Sequence, residues 1–366
     1  MLKKVHISNF LSCQDTDIDL DGITALIGRN AAGKTNILKA IQWCAQFAVG
    51  NLSLYEYFSR FDVSELETKC SIEFLIDDQI FKYEISAHVP KIVGLAAMGQ
   101  KEDTILIEGL SCHINGEWIL ISERNNKGAT HFGEEDIIIL EINSQASMMS
   151  AMLALLPENK LNINFNKIFN YLSKIKYYTL EDDKYKNGAY DDIAHIVLDN
   201  AYDEWLSGNN KSESSVVLRL LHLWHVDKES LEELEALIGK NGLNLVNNIV
   251  IGKSSYGEQN ENNFYVIRFN VAKKTVNYTQ LSYGTQRVLT LLLALLYDKS
   301  STLLIEHPED GIHSGLLKKL LPLCFEYGIV YIRQIIIAIH SPDIINLLPP
   351  ESIRLVRMTD NGTKVS

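Results

Sequence analysis

Four short segments of this 366-residue chain combine residue types that could hold a phosphate and a divalent cation. GRNAAGKT, residues 28–35, has the glycine spacing of a phosphate-binding loop and lies between an apolar run and a helix-like stretch. Such a loop turns successive backbone N–H groups inward, so Gly28, Arg29, Asn30, Ala31, Ala32 and Gly33 would form the cradle, with Asn36 just beyond it. Lys34 would reach the terminal phosphates and the Thr35 hydroxyl could hold magnesium. LSYGTQR, residues 281–287, precedes a strongly apolar helix. Ser282 and Gly284 would sit at the N-terminus of that helix, where free N–H groups and the positive dipole end favour a phosphate. By itself this is a capped helix start; beside a phosphate loop it gains meaning. LLIEHPEDGIH, residues 303–313, reads as a buried strand ending in Glu306, as a magnesium-linked carboxylate requires, with His307 next. IIIAIHSPD, residues 335–343, reads as a second buried strand, ending at His340.

These residues need strands and helices to place them, and the hydrophobic pattern predicts an α/β fold. Residues 2–10 alternate and 23–28 form an apolar run, both strand-like; a helix follows from about Gly33 to Phe47. Strands are expected at 69–76, 79–87, 104–108, 117–122 and 137–143, punctuated by Gly, Asn and Asp as in an antiparallel sheet. Helical patterns follow at 148–156, 165–175, 191–206, 216–226 and 230–238, the last opened by a capping box of Ser230 and Glu233. Strands resume at 245–251 and 264–277, then a helix over 284–297, the strand TLLIE, a helix from Ser314, the strand IIIAIH and a last strand IRLVRMT. The expected organisation is a head made of residues 1–146 and 244–366 with a helical lobe inserted at 147–243.

Composition narrows the partners. Acidic residues number 46 against 34 basic ones, a net charge of −12, which argues against broad non-specific DNA binding and leaves a weak, local contact with nucleic acid open. Five scattered cysteines without metal-like spacing read as reduced thiols of a cytoplasmic protein. The longest apolar run, at 288–297, falls short of the roughly 20 residues that a membrane span needs.

In this order the four motifs resemble the RecF/SMC/OLD branch of ABC ATPases, particularly the compact AAA family ATPases of bacterial defence and repair loci. KKVHISNFLSCQDTDIDLDGITALIGRNAAGKTNILKAI is similar to the opening of that branch, LSYGTQRVLTLLLALL to its ABC signature, LLIEHPEDGIHSGLL to its Walker B and D-loop, and IIIAIHSPDIIN to its switch-histidine segment. The likeness covers the first 45 and the last 90 or so residues. About 250 residues lie between Thr35 and Leu281, too many for a plain transporter subunit and too few for SMC coiled coils. Because the sequence ends soon after the switch segment, the TOPRIM nuclease domain of OLD proteins is not expected in it.

The resemblance implies a P-loop head that binds ATP and magnesium, the metal at Thr35 and Glu306, with His340 as the switch residue. It implies a homodimer or higher homo-oligomer, each ATP lying between one subunit's loop and the other's Ser282–Gly284. It also implies a separate effector, a nuclease or toxin, regulated or scaffolded in anti-phage defence as by Septu-like and PARIS-like ATPase subunits. A RecF-like repair ATPase and a scaffold holding structural ATP are the rival readings. The departure that matters most is His307, where the family places the glutamate that orients the attacking water. Neutral imidazole accepts a proton but lacks a carboxylate's charge, so slow hydrolysis is expected. Leu11 stands where the family's NF-x-S turn carries Arg or Lys, His313 is usual for this group at the D-loop position, and no Q-loop glutamine stands out.

Three further signals have bland alternatives. Residues 166–186 interleave Lys167, Lys174, Lys176, Lys184 and Lys186 with aromatics, as a surface for nucleic acid or as an amphipathic helix with solvated lysines. His222 and His225 lack further ligands and read as structural. The glutamates of 229–235 read as a solvated helix face.

Overall fold

The computed structural model describes residues 1–51, 67–88, 105–125, 128–132, 137–142, 146–157, 163–179, 196–198, 216–256, 262–297, 300–330, 333–340 and 342–366. Contacts divide the chain into two compact units, one of Met1–Tyr178, Ser301–Glu306 and Gly328–Ser366, the other of Thr179–Ser300 and His307–Tyr327.

The first unit holds two sheets. An antiparallel sheet has the order β2 (Cys13–Asp19), β1 (Leu2–Phe10), β4 (Thr68–Ile76), β5 (Gln79–His88), β6 (Ile105–Ile114), β7 (Glu117–Asn125), β8 (Gly128–Phe132) and β9 (Ile137–Leu140). The other has the order β10 (Ile175–Thr179), β15 (Thr302–Glu306), β16 (Gln334–Ile339), β3 (Ile23–Ile27), β17 (Ile353–Thr359) and β18 (Gly362–Val365). Its centre is parallel, with β16 between β15 and β3 and β17 on the far side of β3. Every residue of β16 is buried, and its run of Ile is what a strand covered on both faces needs.

α1 (Lys34–Ala48) touches β1 and β4 of one sheet and β15 and β16 of the other. It is therefore apolar on more than one face: Ile37, Leu38, Ile41, Trp43 and Phe47 are all fully buried. Each such side chain contributes roughly 1.5–3 kcal/mol by leaving water. Trp43 stacks on Phe10 at 5.7 Å between ring centroids. α2 (Met148–Leu155) and α3 (Ile163–Ser173) also pack on α1, so the helical run expected to open the inserted lobe belongs to this unit. Ser147 caps α2, accepting from the Ser150 N–H at 3.4 Å.

Two buried polar clusters tie sequence-distant strands. Gln334 fills all its hydrogen-bonding capacity: it donates to Leu2 O and Asp21 O at 2.8 Å and accepts from Leu2 N at 2.7 Å and Thr302 Oγ1 at 3.2 Å. Glu108 accepts from Arg124 at 3.0 Å, Tyr83 at 2.6 Å and Met148 N at 2.9 Å. Burial pushes the Glu108 carboxyl above its usual range despite these donors.

The second unit is built around α6 (Tyr283–Leu296), whose Val288, Leu289, Leu291, Leu292, Leu293 and Leu295 are buried all round the helix, as in a core element. α4 (Val216–Val226) and α5 (Lys228–Ile238) pack on it, and β11 (Ile196–Leu198), β12 (Asn248–Tyr256), β13 (Asn262–Val271) and β14 (Lys274–Val276) form a small antiparallel sheet. α7 (Ser314–Val330) follows β15, and α8 (Pro342–Ile345) follows β16.

Several local expectations need correction. The segment 191–206, expected to be helical, carries the strand β11, paired with β13; its remaining residues lie outside those described. α5 is capped by Asp227, which accepts from Ser230 N at 3.2 Å and Ser230 Oγ at 2.9 Å, not by Ser230. Asp is as good an N-cap as Ser and stands one turn earlier. Glu233 accepts from Tyr327 at 2.5 Å and Glu235 from Ile249 N at 2.7 Å, so this face is partly bonded rather than solvated. Strands β2, β8, β10 and β18 were not expected; they are short or strongly polar.

Candidate nucleotide site

The carboxyl ends of the parallel strands carry the chemistry. β3 runs into the loop 28–33, β15 ends in Glu306 and β16 ends just before His340. Ile27 pairs with Ile339 and Glu306 with Ala338, so all three termini lie at one edge of the sheet. Open α/β sheets bind ligands at this edge.

The loop has the backbone that its glycines permit. Gly33 has φ 103° and Ala31 φ 61°, both left-handed. A Cβ on Gly33 would lie 2.0 Å from Thr363 Oγ1, and one on Gly28 would lie 2.1 Å from Val356 O. Thr363 supports the loop by donating to Ala32 O at 3.0 Å and bonding Ser12 Oγ at 2.8 Å; Asn36 Nδ2 donates to the same Ser12 oxygen at 2.8 Å. The two ends of the chain thus meet behind the loop, while Arg29, Asn30 and Ala31 are exposed at its tip.

Lys34 opens α1 and is almost fully buried. Its ammonium donates to Gly28 O at 2.7 Å, Arg29 O at 2.9 Å and His340 Nδ1 at 3.0 Å. An ammonium has no acceptor capacity, so Nδ1 of His340 is the lone-pair nitrogen and the ring proton sits on Nε2. Thr35 donates from Oγ1 to Glu306 Oε1, and Tyr177 on β10 donates to Glu306 Oε2. A hydroxyl and a carboxylate side by side are the hard oxygen donors that magnesium takes, and the cation beside a glycine loop suits phosphate. Lys34, Thr35, Glu306 and His340 are therefore brought together. Thr363, Ser12 and Tyr177 were missed: each is a common residue whose role depends on pairing across more than 100 positions.

Ser282, Gly284 and His307 belong to the second unit. Ser282 is the N-cap of α6, accepting from Thr285 N at 3.2 Å, and is exposed. A Cβ on Gly284 would lie 2.9 Å from Gly311 O. Arg287 donates to Tyr283 at 2.5 Å and to His307 O at 3.3 Å, and its guanidinium lies 5.2 Å from the Tyr283 ring centre. His307 has φ 48°, a left-handed conformation that histidine tolerates better than most residues. Its ligand atom and those of Glu309 and Asp310 lie within 4.8 Å of one another.

The weaker signals resolve into structure. Tyr178 is buried, Tyr171 stacks on Phe74 at 5.3 Å and Lys167 pairs with Asp77, so these residues of 166–186 face inward or are paired, while Lys174 is exposed; Lys184 and Lys186 lie outside the described residues. His222 packs edge-on against Tyr297 and His225 against Tyr265. Leu11 is exposed at the β1–β2 turn with φ 51°. Among the described residues no helix is long and apolar enough to cross a membrane.

The sheet order, the loop and the acidic strand end define a P-loop ATPase head of the RecF/SMC/OLD branch. The chain belongs to the family described as "AAA domain, putative AbiEii toxin, Type IV TA system", which matches residues 23–346. It is 21% identical over 366 residues to an OLD nuclease of Thermus scotoductus (strain ATCC 700910 / SA-01), covering 98% of this chain and 62% of that protein. It is 55% identical over 42 residues to the Old nuclease of Escherichia phage P2, covering 12% of this chain and 7% of that protein. The chain thus spans under two thirds of the length of either relative. An SMC head solved bound to the C-terminal winged-helix domain of ScpA has the same fold, with TM-score 0.52 at 14% identity over 100% of this chain and 97% of the other.

Proposed function

We propose that this protein binds ATP with magnesium and uses the bound nucleotide to pair two heads, thereby regulating a separate effector. The observation that carries the reading is the convergence of Lys34, Thr35, Glu306 and His340 at one sheet edge. Lys34 would release its loop carbonyls to neutralise phosphate charge, and the loop N–H groups would orient the phosphates. Thr35 and Glu306 would hold magnesium, which when bound neutralises phosphate charge and orients the γ-phosphate. Ser282 and Gly284 would meet the phosphates from a second copy, since α6 presents an exposed, positively polarised N-terminus.

The effector is a nuclease, as the names of both relatives suggest, and the setting is cytoplasmic anti-phage defence. Hydrolysis is slow because His307 stands in the glutamate position, held in a left-handed turn. Light scattering of the purified protein with ATP and magnesium tests the pairing. A mass that stays monomeric at saturating nucleotide contradicts it.

A further inference from the structure

The two carboxylate oxygens of Glu306 have different partners. Oε1 accepts from Thr35 and Oε2 accepts from the phenol of Tyr177. Tyr177 comes from β10, the strand next to β15 in the sheet. That strand is held from two sides. Gln46 of α1 donates to Ile175 O at 3.0 Å. Ser301 donates from its N–H to Lys174 O and from its hydroxyl to Tyr171 O, both at 2.9 Å. α1 begins with Lys34 and Thr35, and Ser301 leads directly into the strand that ends in Glu306. The strand bearing Tyr177 is thus pinned to both elements that form the hydroxyl–carboxylate pair.

We propose that Tyr177 is a positioning residue for the divalent cation of the nucleotide site, and that it acts by fixing the rotation of the Glu306 carboxylate. This inference rests on the ATP–magnesium reading given above. The terminal torsion of a glutamate is broad and roughly two-fold, so an unrestrained carboxylate samples many orientations. A donor on Oε2 selects one of them and leaves Oε1 turned to Thr35. A phenol is well suited to this role, because it donates one hydrogen bond and brings no positive charge to compete with a cation. The Tyr177 ring packs against the buried core around α1, so the hydroxyl is delivered from a fixed base. The ordering is then complete before the metal arrives instead of being incurred at each binding event.

The full-length chain with Tyr177→Phe keeps the ring and removes only the hydroxyl. Binding of a fluorescent ATP analogue is measured first in EDTA and then across a Mg2+ titration. In EDTA the variant should match the wild type within about twofold. The half-maximal Mg2+ concentration should rise about three- to tenfold, the scale of the net worth of one ordinary hydrogen bond. Coincident Mg2+ curves for the two proteins overturn the proposal, as does an equal loss in EDTA and in Mg2+, which would assign Tyr177 to folding alone. Failure of the wild type to bind the analogue under either condition overturns the ATP reading itself.

Discussion

The phosphate loop and the N-terminus of α6 are both places where a helix could face phosphate, yet they are built differently. Around the loop side chains bond across long stretches of sequence: Lys34 to His340, Thr35 to Glu306, and Thr363 to the Ala32 carbonyl. At α6 the bonds are mostly local, Ser282 to Thr285 and Arg287 to Tyr283, and the longest of them, Arg287 to His307 O, spans only 20 residues. The first region is a site assembled by the fold, already supplied with a cation, a hydroxyl and a carboxylate. The second offers a helix end and exposed side chains, with no such constellation of its own bonds. The difference explains why a second copy is needed in our reading: α6 completes a site but cannot constitute one.

The sharpest way to break this contrast is Ser282→Asp. Aspartate keeps the cap on Thr285 N but adds a negative charge where a phosphate is to arrive. ATP-dependent pairing should be lost, while ATP affinity of the separate head changes less than about twofold, because charge repulsion acts only across the pair. Gly284→Arg is a poorer probe, since its side chain would press on Gly311 O within its own subunit. Sedimentation and nucleotide binding on the same preparation distinguish the two effects. A variant that pairs normally removes α6 from the interface.

Thr363→Val tests the assembled side from a distance. It removes a hydroxyl that donates to Ala32 O and bonds Ser12, leaving a buried acceptor unmet at a cost of about 1–3 kcal/mol. Part of this should emerge as a roughly tenfold weaker ATP affinity. Calorimetric titration reads it, and an unchanged affinity would show that the loop holds its shape without the C-terminal strand.

The smallest effect is expected at His307. His307→Ala should alter turnover by less than about twofold, where loss of a working general base would cost ~10²–10⁴-fold. His307→Glu should raise turnover, about tenfold if the rest of the geometry is competent. Glu309 and Asp310 beside it oppose a third carboxylate and set a limit on that gain. Steady-state phosphate release across pH decides: brisk wild-type turnover that collapses in His307→Ala, with a rate rising near pH 6–7, contradicts slow hydrolysis at this position.

The same contrast governs what could be read from the sequence. The loop, Glu306, His340 and the capped helix were visible because each is a contiguous motif with a fixed strand or helix beside it. The central parallel strands β3, β15 and β16 were visible because burial on both faces gives a nearly unbroken apolar run, as in IIIAI. Tyr177, Ser12 and Thr363 were not visible, because nothing local marks a Tyr or a Thr whose partner lies on another strand. α2 and α3 read correctly as helices, but periodicity does not say which unit a helix packs in. The cap of α5 was misplaced by one turn because Asp227 and Ser230 are both good cap residues and only geometry separates them.

The central claim is that the sheet edge bearing Lys34 is an ATP site, and equilibrium binding of labelled ATP to the wild type and to Lys34→Ala tests it most directly. Lys34 donates to Gly28 O, Arg29 O and His340 in this structure, and in our reading it redirects its charge to phosphate. We expect saturable, magnesium-enhanced binding by the wild type and an affinity about 100-fold or more lower in Lys34→Ala, with the variant still cooperatively folded in the absence of nucleotide. Equal affinity of the two proteins would contradict the claim.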